Sequence, residues 1–496
     1  MLLTVDRGKP QTLTIQVYEQ IREAIWNEVL REGIKLPSSR ELAQQSGVSR
    51  NIVMEAYDQL LAEGYLEVRP RSGTYVADGA SLRHRPGPVG DRGGAGAGGG
   101  AGRRAGAGQH EPQSSEYAER AWIDFHASRP ATDYFPRHLW GRLAKEACYE
   151  SPEHSFGYLE PEGALKLRRV LAPYLRQVRG VHCQPGQILI TGGATQALYL
   201  ITKLLTDPQG YIAAEDPTAS EMRSIFTYAG AEVRPIPVDD KGILPDRLSR
   251  SDSPRFVFVT PSHQFPLGGT LPIQRRIQLI DYARAMNCYI VEDDYDSEFT
   301  YDGVPIHAMQ GLDPERVIYV GTFSKILSPS LRIGYVVLPQ SLLPAFRTSK
   351  WYLDRHTSAL EQLILARFIE QGHLDRHIRR MRKVYRKRRE VLIRSLSEHF
   401  GEVDILGHAA GMHLVVRFKQ VSFSEALLER IQSAGVLVYP VEQFALQKGA
   451  YTNSIVLGYG GLTTDLIKEG IRRMKIVMAE MPEMGLAVGD DHLLNE

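Results

Sequence analysis

The stretch GTFSKILSPSLRIGY (321–335) decides how the chain is read. It continues the apolar run VIYV and enters a serine-containing turn that carries Lys325, with Arg332 seven residues further on. A lysine amine can condense with an aldehyde, and an arginine guanidinium can hold a phosphate through two parallel hydrogen bonds. Alone, Lys325 would read as a solvated surface charge, because lysine is rarely buried. Its place just past a strand is what matters, since open α/β sheets bind ligands at the carboxyl ends of their strands.

The neighbouring sequence supplies such a sheet. Short β-rich runs occur at QILIT (187–191), YIAAED (211–216), FVFVTP (256–261), CYIVED (288–293), VIYVGTF (317–323) and IGYVVLP (333–339), several of them separated by helical stretches such as 273–286. Apolar strands alternating with helices predict a mostly parallel sheet covered on both faces. A long helix after about residue 360 and a smaller α+β segment reaching about residue 480 complete this block. Two further strand ends carry chemistry. GGATQA (192–197) follows a strand and opens a helix, where backbone N–H groups suit a phosphate. Asp293 ends CYIVED and Tyr295 lies two residues beyond; such an acid can keep a pyridine nitrogen protonated while a phenol bonds a ring hydroxyl.

The N-terminal 80 residues have a different pattern. Val17, Ile21, Ile25 and Leu30 recur at helical steps. Ser38 or Ser39 then caps a short helix, Gly47 permits a turn, and Ser49 precedes a helix with Val53, Ala56, Leu60 and Leu61 on its buried side. Gly64 ends it, and YLEV and TYVA flank RPRSG (69–73) as a strand–turn–strand. Helix, turn, helix and hairpin make a winged helix-turn-helix. Between this module and the sheet block runs RPGPVGDRGGAGAGGGAGRRAGAGQ (85–109), too poor in large apolar residues to fold. The chain therefore divides into a winged helix-turn-helix at 1–80, a flexible Gly-rich linker at 81–118, and a block at 119–496 with a large part at about 155–360 and a small part at about 380–480.

Bulk composition narrows the classes. A chain of 496 residues predicts two to four domains. A net charge of +1 gives no global attraction to nucleic acid or anionic membrane, so such binding must come from local patches. The module itself has nine Lys and Arg against eleven Asp and Glu, so its case for DNA rests on placement. Cys148, Cys183 and Cys288 have no metal-ligand spacing and read as reduced thiols, and no metal is expected. Neither a signal peptide nor a membrane span is evident, and a cytoplasmic location is expected.

Two resemblances sharpen the reading. Over about 155–480 the motifs Gly193-Ala194-Thr195, Asp293-Asp294-Tyr295 and Ser324-Lys325…Arg332 resemble, in order, a fold-type-I aspartate-aminotransferase-like domain. The resemblance implies pyridoxal 5′-phosphate, with Lys325 forming the internal aldimine, Asp293 pairing the pyridine nitrogen, and Tyr295 contacting the ring hydroxyl. It further implies that Ala194, Thr195, Ser324 and Arg332 hold the phosphate. PSSRELAQQSGVSRNIV (37–53) and YLEVRPRSGTYVA (65–77) resemble the winged helix-turn-helix of GntR-type regulators. That implies DNA contacts from Arg40, Ser49, Arg50 and Asn51, and from the wing tip Arg71, Ser72 and Gly73. TPSHQFP (260–266) resembles the version in MocR-type regulators, which fuse the two modules, and makes His263 and Gln264 candidate lining of the cofactor and effector pocket.

Two departures from the aminotransferase pattern bear on activity. Ala219 stands where many relatives stack an aromatic ring on the cofactor, and Val456 where relatives that bind α-amino acids place a carboxylate-binding arginine. The expected function is therefore a homodimeric transcriptional regulator that binds operator DNA. It would sense pyridoxal 5′-phosphate itself, or an amine or amino-acid derivative, through an aldimine at Lys325, without efficient transamination. The alternatives are an active aminotransferase carrying a DNA-binding module, and a regulator whose C-terminal block only dimerises.

Overall fold

The computed structural model describes residues 3–8, 11–81, 122–207, 210–302 and 306–480. Most of the Gly-rich segment expected to be a linker lies outside them.

The module is built as its sequence dictates. Its first helix, Leu13–Trp26, buries Val17, Ile21 and Ile25. Leu30 falls beyond the helix, whose backbone turns at Asn27 and at Glu28, where φ is positive. Ser38 caps Ser39–Ser46 in a reciprocal box, its hydroxyl accepting from the Glu41 N–H while the Glu41 carboxylate accepts from the Ser38 N–H. Gly47 takes the left-handed conformation that closes this helix, and Arg50–Ala62 follows with Val53, Ala56 and Leu60 inside. Leu66–Arg69 and Gly73–Val76 pair antiparallel as the wing.

The large part of the C-terminal block is an eight-stranded sheet. Its order is Ile188–Thr191, Gly334–Val337, Val317–Thr322, Tyr289–Asp294, Phe256–Val259, Tyr211–Asp216, Glu232–Asp239 and Gly242–Ile243. The five strands from Val317–Thr322 to Glu232–Asp239 run parallel. Gly334–Val337 is antiparallel to both its neighbours, a detail that apolar runs cannot reveal. Every residue of Val317–Thr322 is buried, as expected of a strand with helices on both faces.

The small part carries a four-stranded sheet, Asp404–Leu406, His413–Arg417, Ser454–Gly458 and Tyr439–Pro440. Helix His373–Phe400 joins the two parts: Leu374 and Ile378 enter the core of the large part, while Tyr385, Leu392 and Leu396 enter that of the small part. Ile123–Asp124 pairs in parallel with Val436–Leu437, so the first described residues of the block belong to the small part. The sequence predicts neither part before about residue 155.

The module packs on the block. Its core, including Val17, Leu60 and Tyr65, continues into Ile273 and Ile277 of helix Ile273–Ala285. No helix among the described residues is long and apolar enough to cross a membrane.

The capping box is a testable element of the module. Ser38→Ala should cost about 0.5–2 kcal/mol locally. Amide exchange should accelerate in Ser39–Ser46 of the full chain and stay unchanged in the eight-stranded sheet.

Candidate functional site

Parallel pairing brings the chemistry together. Val320 is the register partner of Asp293, so Val317–Thr322 and Tyr289–Asp294 end side by side and deliver Lys325 and Asp293 to one cavity of about 290 Å³. Ala194, Thr195, Tyr295, Ser324 and Arg332 line the same cavity. Seven of the ten residues expected at a cofactor thus converge on it from three separate segments.

Lys325 is held rather than solvated. Its Nζ donates to the Ser128 carbonyl at 2.7 Å, and burial lowers its affinity for a proton against the opposing charges of Asp296 and Asp293. Facing it, Asp293 is 5 % exposed and its Oδ1 has no hydrogen-bond partner among the described residues. Burial first, then the adjacent Asp294 charge, push the Asp293 carboxyl up to about 7, partly offset by Lys325. An unsatisfied buried carboxylate oxygen is costly, and a cationic N–H donor in the cavity would satisfy it.

The other end of the cavity is an anion cradle. Helix Ala194–Leu205 presents its N-terminus there, with Gly193 as N-cap at φ +96°. Arg332 folds over this turn and donates to the Gly192 carbonyl at 2.8 Å. A Cβ on Gly193 would lie 2.9 Å from the Arg332 guanidinium, and one on Gly334 would lie 2.7 Å from the Gly193 backbone. Glycine at both positions lets the helix start, the arginine and the Gly334–Val337 strand close on one another. Free N–H groups of a first helical turn beside a guanidinium suit a phosphate dianion.

Three expected residues stand behind this wall. Gly193 shapes the cradle without lining the cavity. His263 is also absent from the lining: its Nδ1 lies 3.1 Å from Asp296 and 3.1 Å from the Tyr295 hydroxyl, which itself donates to the His263 carbonyl at 3.0 Å. Tyr295 lines the cavity, yet its hydroxyl is bonded to this loop. Burial pulls His263 toward the neutral form, yet the Asp296 charge and hydrogen bond outweigh it and raise its affinity for a proton. Gln264 is fully buried and donates to the carbonyls of Pro217 and Phe265, tying two loops together. His263, Asp296 and His413 also have donor atoms within 4.8 Å of one another, a grouping that cysteine spacing could not anticipate. His413 Nε2 there lies 3.0 Å from the Pro266 carbonyl, and burial, then the His263 charge, push the ring down to about 3.

Other lining residues escaped sequence reasoning. Ser128, Tyr439 and Phe444 come from the small part or the segment woven into it, and Phe265 and Glu221 complete the wall. Ala219 lines the cavity and supplies no ring. Val456 is fully buried in the core under strand Ser454–Gly458 and does not reach the cavity. Arg129, beside Ser128, is paired with Asp124 at 2.8 Å.

On the module, Arg40, Ser49, Arg50, Asn51, Arg71 and Ser72 are exposed and Gly73 is half-buried. Arg50 reaches Ser39 at 3.3 Å, which joins the two helices of the motif at their N-termini. Arg71 has φ +61° at the wing tip, and Ser72 bonds the Tyr75 hydroxyl at 2.6 Å. Arg69, the cation that precedes the turn, is turned back on Glu67 and the Tyr75 ring.

Comparison with known proteins follows the same division. Residues 133–474 match the family described as aminotransferase class I and II, and residues 13–76 match bacterial regulatory proteins of the gntR family. The chain is 36% identical over 490 residues to the probable rhizopine catabolism regulatory protein MocR of Rhizobium meliloti, covering 98% of this chain and 97% of that one. It is 32% identical to the HTH-type pyridoxine biosynthesis transcriptional regulator PdxR of Corynebacterium glutamicum, covering 94% and 96%. Among solved structures, the kynurenine aminotransferase of Pyrococcus horikoshii superposes with a TM-score of 0.68 at 28% identity, covering 75% of this chain and 95% of that one.

Gly193→Ala tests the cradle, because the added methyl group meets Arg332 and strains a left-handed backbone. Affinity for pyridoxal 5′-phosphate, titrated by absorbance, should fall by about tenfold or more while the fold persists.

Proposed function

The chain belongs to the MocR-type HTH transcriptional regulators, in which a GntR winged helix-turn-helix is joined to a class I and II aminotransferase domain, and from that premise we propose that it binds pyridoxal 5′-phosphate and reports the occupancy of that site to operator DNA. The observation that carries the proposal is that the buried Asp293 carboxyl, which no hydrogen bond satisfies at Oδ1, and Lys325 line one cavity together with an anion cradle. The residues fit the group at both ends. When bound, pyridoxal 5′-phosphate supplies an aldehyde that exchanges reversibly between amines.

Each residue then has a task. Asp293 accepts the ring N–H and keeps that nitrogen cationic. Lys325, with its proton affinity lowered by burial, presents a larger fraction of free amine than a surface lysine. Ser128 holds that amine at the cavity wall through its carbonyl. Arg332 and the N–H groups of Ala194 and Thr195 hold the phosphate, and Phe265, Tyr439 and Phe444 keep the cavity largely apolar. Sensing rather than turnover is supported by Ala219, which offers no stacking ring, and by Val456, which leaves strand Ser454–Gly458 without a cation for a substrate carboxylate. The effector is then the cofactor itself or an amine that engages it.

DNA binding falls to Arg40, Ser49, Arg50 and Asn51 in the major groove, with Arg71, Ser72 and Gly73 against the backbone or minor groove. A homodimer in the cytoplasm is the natural working form. Exposed aromatic residues Phe156, Tyr158, Trp351 and Tyr352 favour an association surface, with the Arg355 guanidinium 4.1 Å from the rings of both Tyr158 and Trp351.

Two experiments test this reading. Borohydride should trap pyridoxal 5′-phosphate on the wild-type chain and not on Lys325→Ala; a trapped adduct on the variant would remove Lys325 from its role. Binding to DNA upstream of the protein's own gene, measured at fixed salt, should change when pyridoxal 5′-phosphate is added. Arg50→Ala should weaken that binding by about 1–3 kcal/mol. Undiminished operator affinity in Arg50→Ala would take this residue out of the interface.

A further inference from the structure

Segment 306–312 lies between the cavity and the module, with built contacts on both sides. Toward the module, His307 Nδ1 is 3.0 Å from the Tyr18 hydroxyl and 3.3 Å from Glu63 Oε1, and its backbone N–H donates to Glu63 at 3.3 Å. Tyr18 in turn donates to Glu63 Oε2 at 2.6 Å. Two more bonds cross nearby: the Ile273 N–H donates to the Glu63 carbonyl at 3.2 Å, and the Gln274 amide donates to the Gly64 carbonyl at 2.9 Å. Tyr18, Arg22 and Glu63 are polar side chains of the module, yet all three are buried where it meets the block.

The opposite side of the segment is gripped by the strand that forms the cavity floor. Arg179 donates to the Ile306 carbonyl at 3.0 Å and to Asp294 Oδ2 at 2.7 Å, and its own carbonyl accepts from the Ala308 N–H at 2.8 Å. Glu292 accepts from the N–H groups of Met309 and Gln310 at 2.9 and 3.0 Å. Arg276 binds the His307 carbonyl. Successive side chains of a strand point to opposite faces, so Asp293 enters the cavity while Glu292 and Asp294 hold the segment behind it.

We infer that residues 306–312, together with the start of helix Ile273–Ala285, are the docking surface for the DNA-binding module, and that the Asp294–Arg179 pair carries the state of the cavity to it. The inference rests on the sensing function proposed above. A cationic ring partner opposite Asp293 changes the charge beside Asp294, and Arg179 is the only guanidinium that bonds both Asp294 and the segment among the described residues. The docked face is suited to release. Its apolar side chains, Ile273, Ile277, Ile306, Ala308 and Leu312, are interleaved with polar groups that regain water on separation. A module that docks and undocks is a two-state element that both sites can bias.

The test uses the full chain and two variants outside both the cavity and the DNA-contacting residues, His307→Ala and Gln274→Ala. The probes are pyridoxal 5′-phosphate and an operator fragment at fixed salt. In the wild type, the cofactor should shift operator Kd by a factor within the usual allosteric range of about 5 to 150. In the variants, cofactor uptake by absorbance should persist while that shift falls below about twofold. Variants that keep the wild-type shift overturn the coupling. Hydrogen exchange reads docking separately, at the amides of Ile273 and His307 that donate across the contact. Both should exchange faster in Gln274→Ala, and the Ile273 amide also in His307→Ala; unchanged exchange overturns the docking surface. A wild type whose operator affinity ignores the cofactor sinks the sensing function and the coupling with it, and leaves docking to be decided by exchange.

Discussion

Three consecutive carboxylates, Glu292, Asp293 and Asp294, end a buried central strand, and much of the surrounding architecture serves to make that tolerable. Isolated charges in such a place cost several kcal/mol each, so buried ions persist only when neighbours pair or bond them. Asp294 is met by Arg179 and by the Tyr319 hydroxyl. Glu292 is met by two backbone N–H groups of the segment behind the sheet, and burial still pushes it up to about 7. Asp294 keeps its Oδ1 without a hydrogen-bond partner among the described residues, and Asp293, the one of the three that lines the cavity, has an unpartnered Oδ1 too. Pairing Glu292 and Asp294 with neighbours while Asp293 is turned to the cavity divides the strand into a structural face and a chemical face.

The same strand explains why the cavity is assembled from distant pieces. Parallel neighbours end at the same level, which brings Lys325 and Asp293 together, and the helix start at Ala194 follows a strand that runs the same way beyond the antiparallel Gly334–Val337. The small part supplies the rest of the wall, and helix His373–Phe400 fixes its position by belonging to both cores. A cavity shared between two rigid parts is a natural place to detect occupancy, since small rotations of one part alter the wall without disturbing either core.

Much of this was legible in the chain. The capping box at Ser38, the glycine turn at Gly47, the strand ends at Asp293 and Lys325, and the helix opening at Gly193 are local patterns, and local patterns survive into the fold because each is satisfied within a few residues. What escaped was long-range. Nothing in IGYVVLP shows that its strand runs against its neighbours, because the apolar run is the same in either direction. His263 and Gln264 were placed in the pocket by their loop, yet Asp296 and the carbonyls of Pro217 and Phe265 turn them away from it. Ser128 could not be found by motif, since it contributes only a carbonyl. The contact between Tyr18, Glu63 and His307 spans more than 240 residues of sequence, and no periodicity encodes such a meeting.

The way the block begins has a mechanical side. Ile123–Asp124 is stitched as a strand onto Val436–Leu437, and only a few residues later Ser128 grips the amine of Lys325. A displacement of the Ile123–Asp124 strand is therefore delivered to the cavity wall within a few residues of backbone.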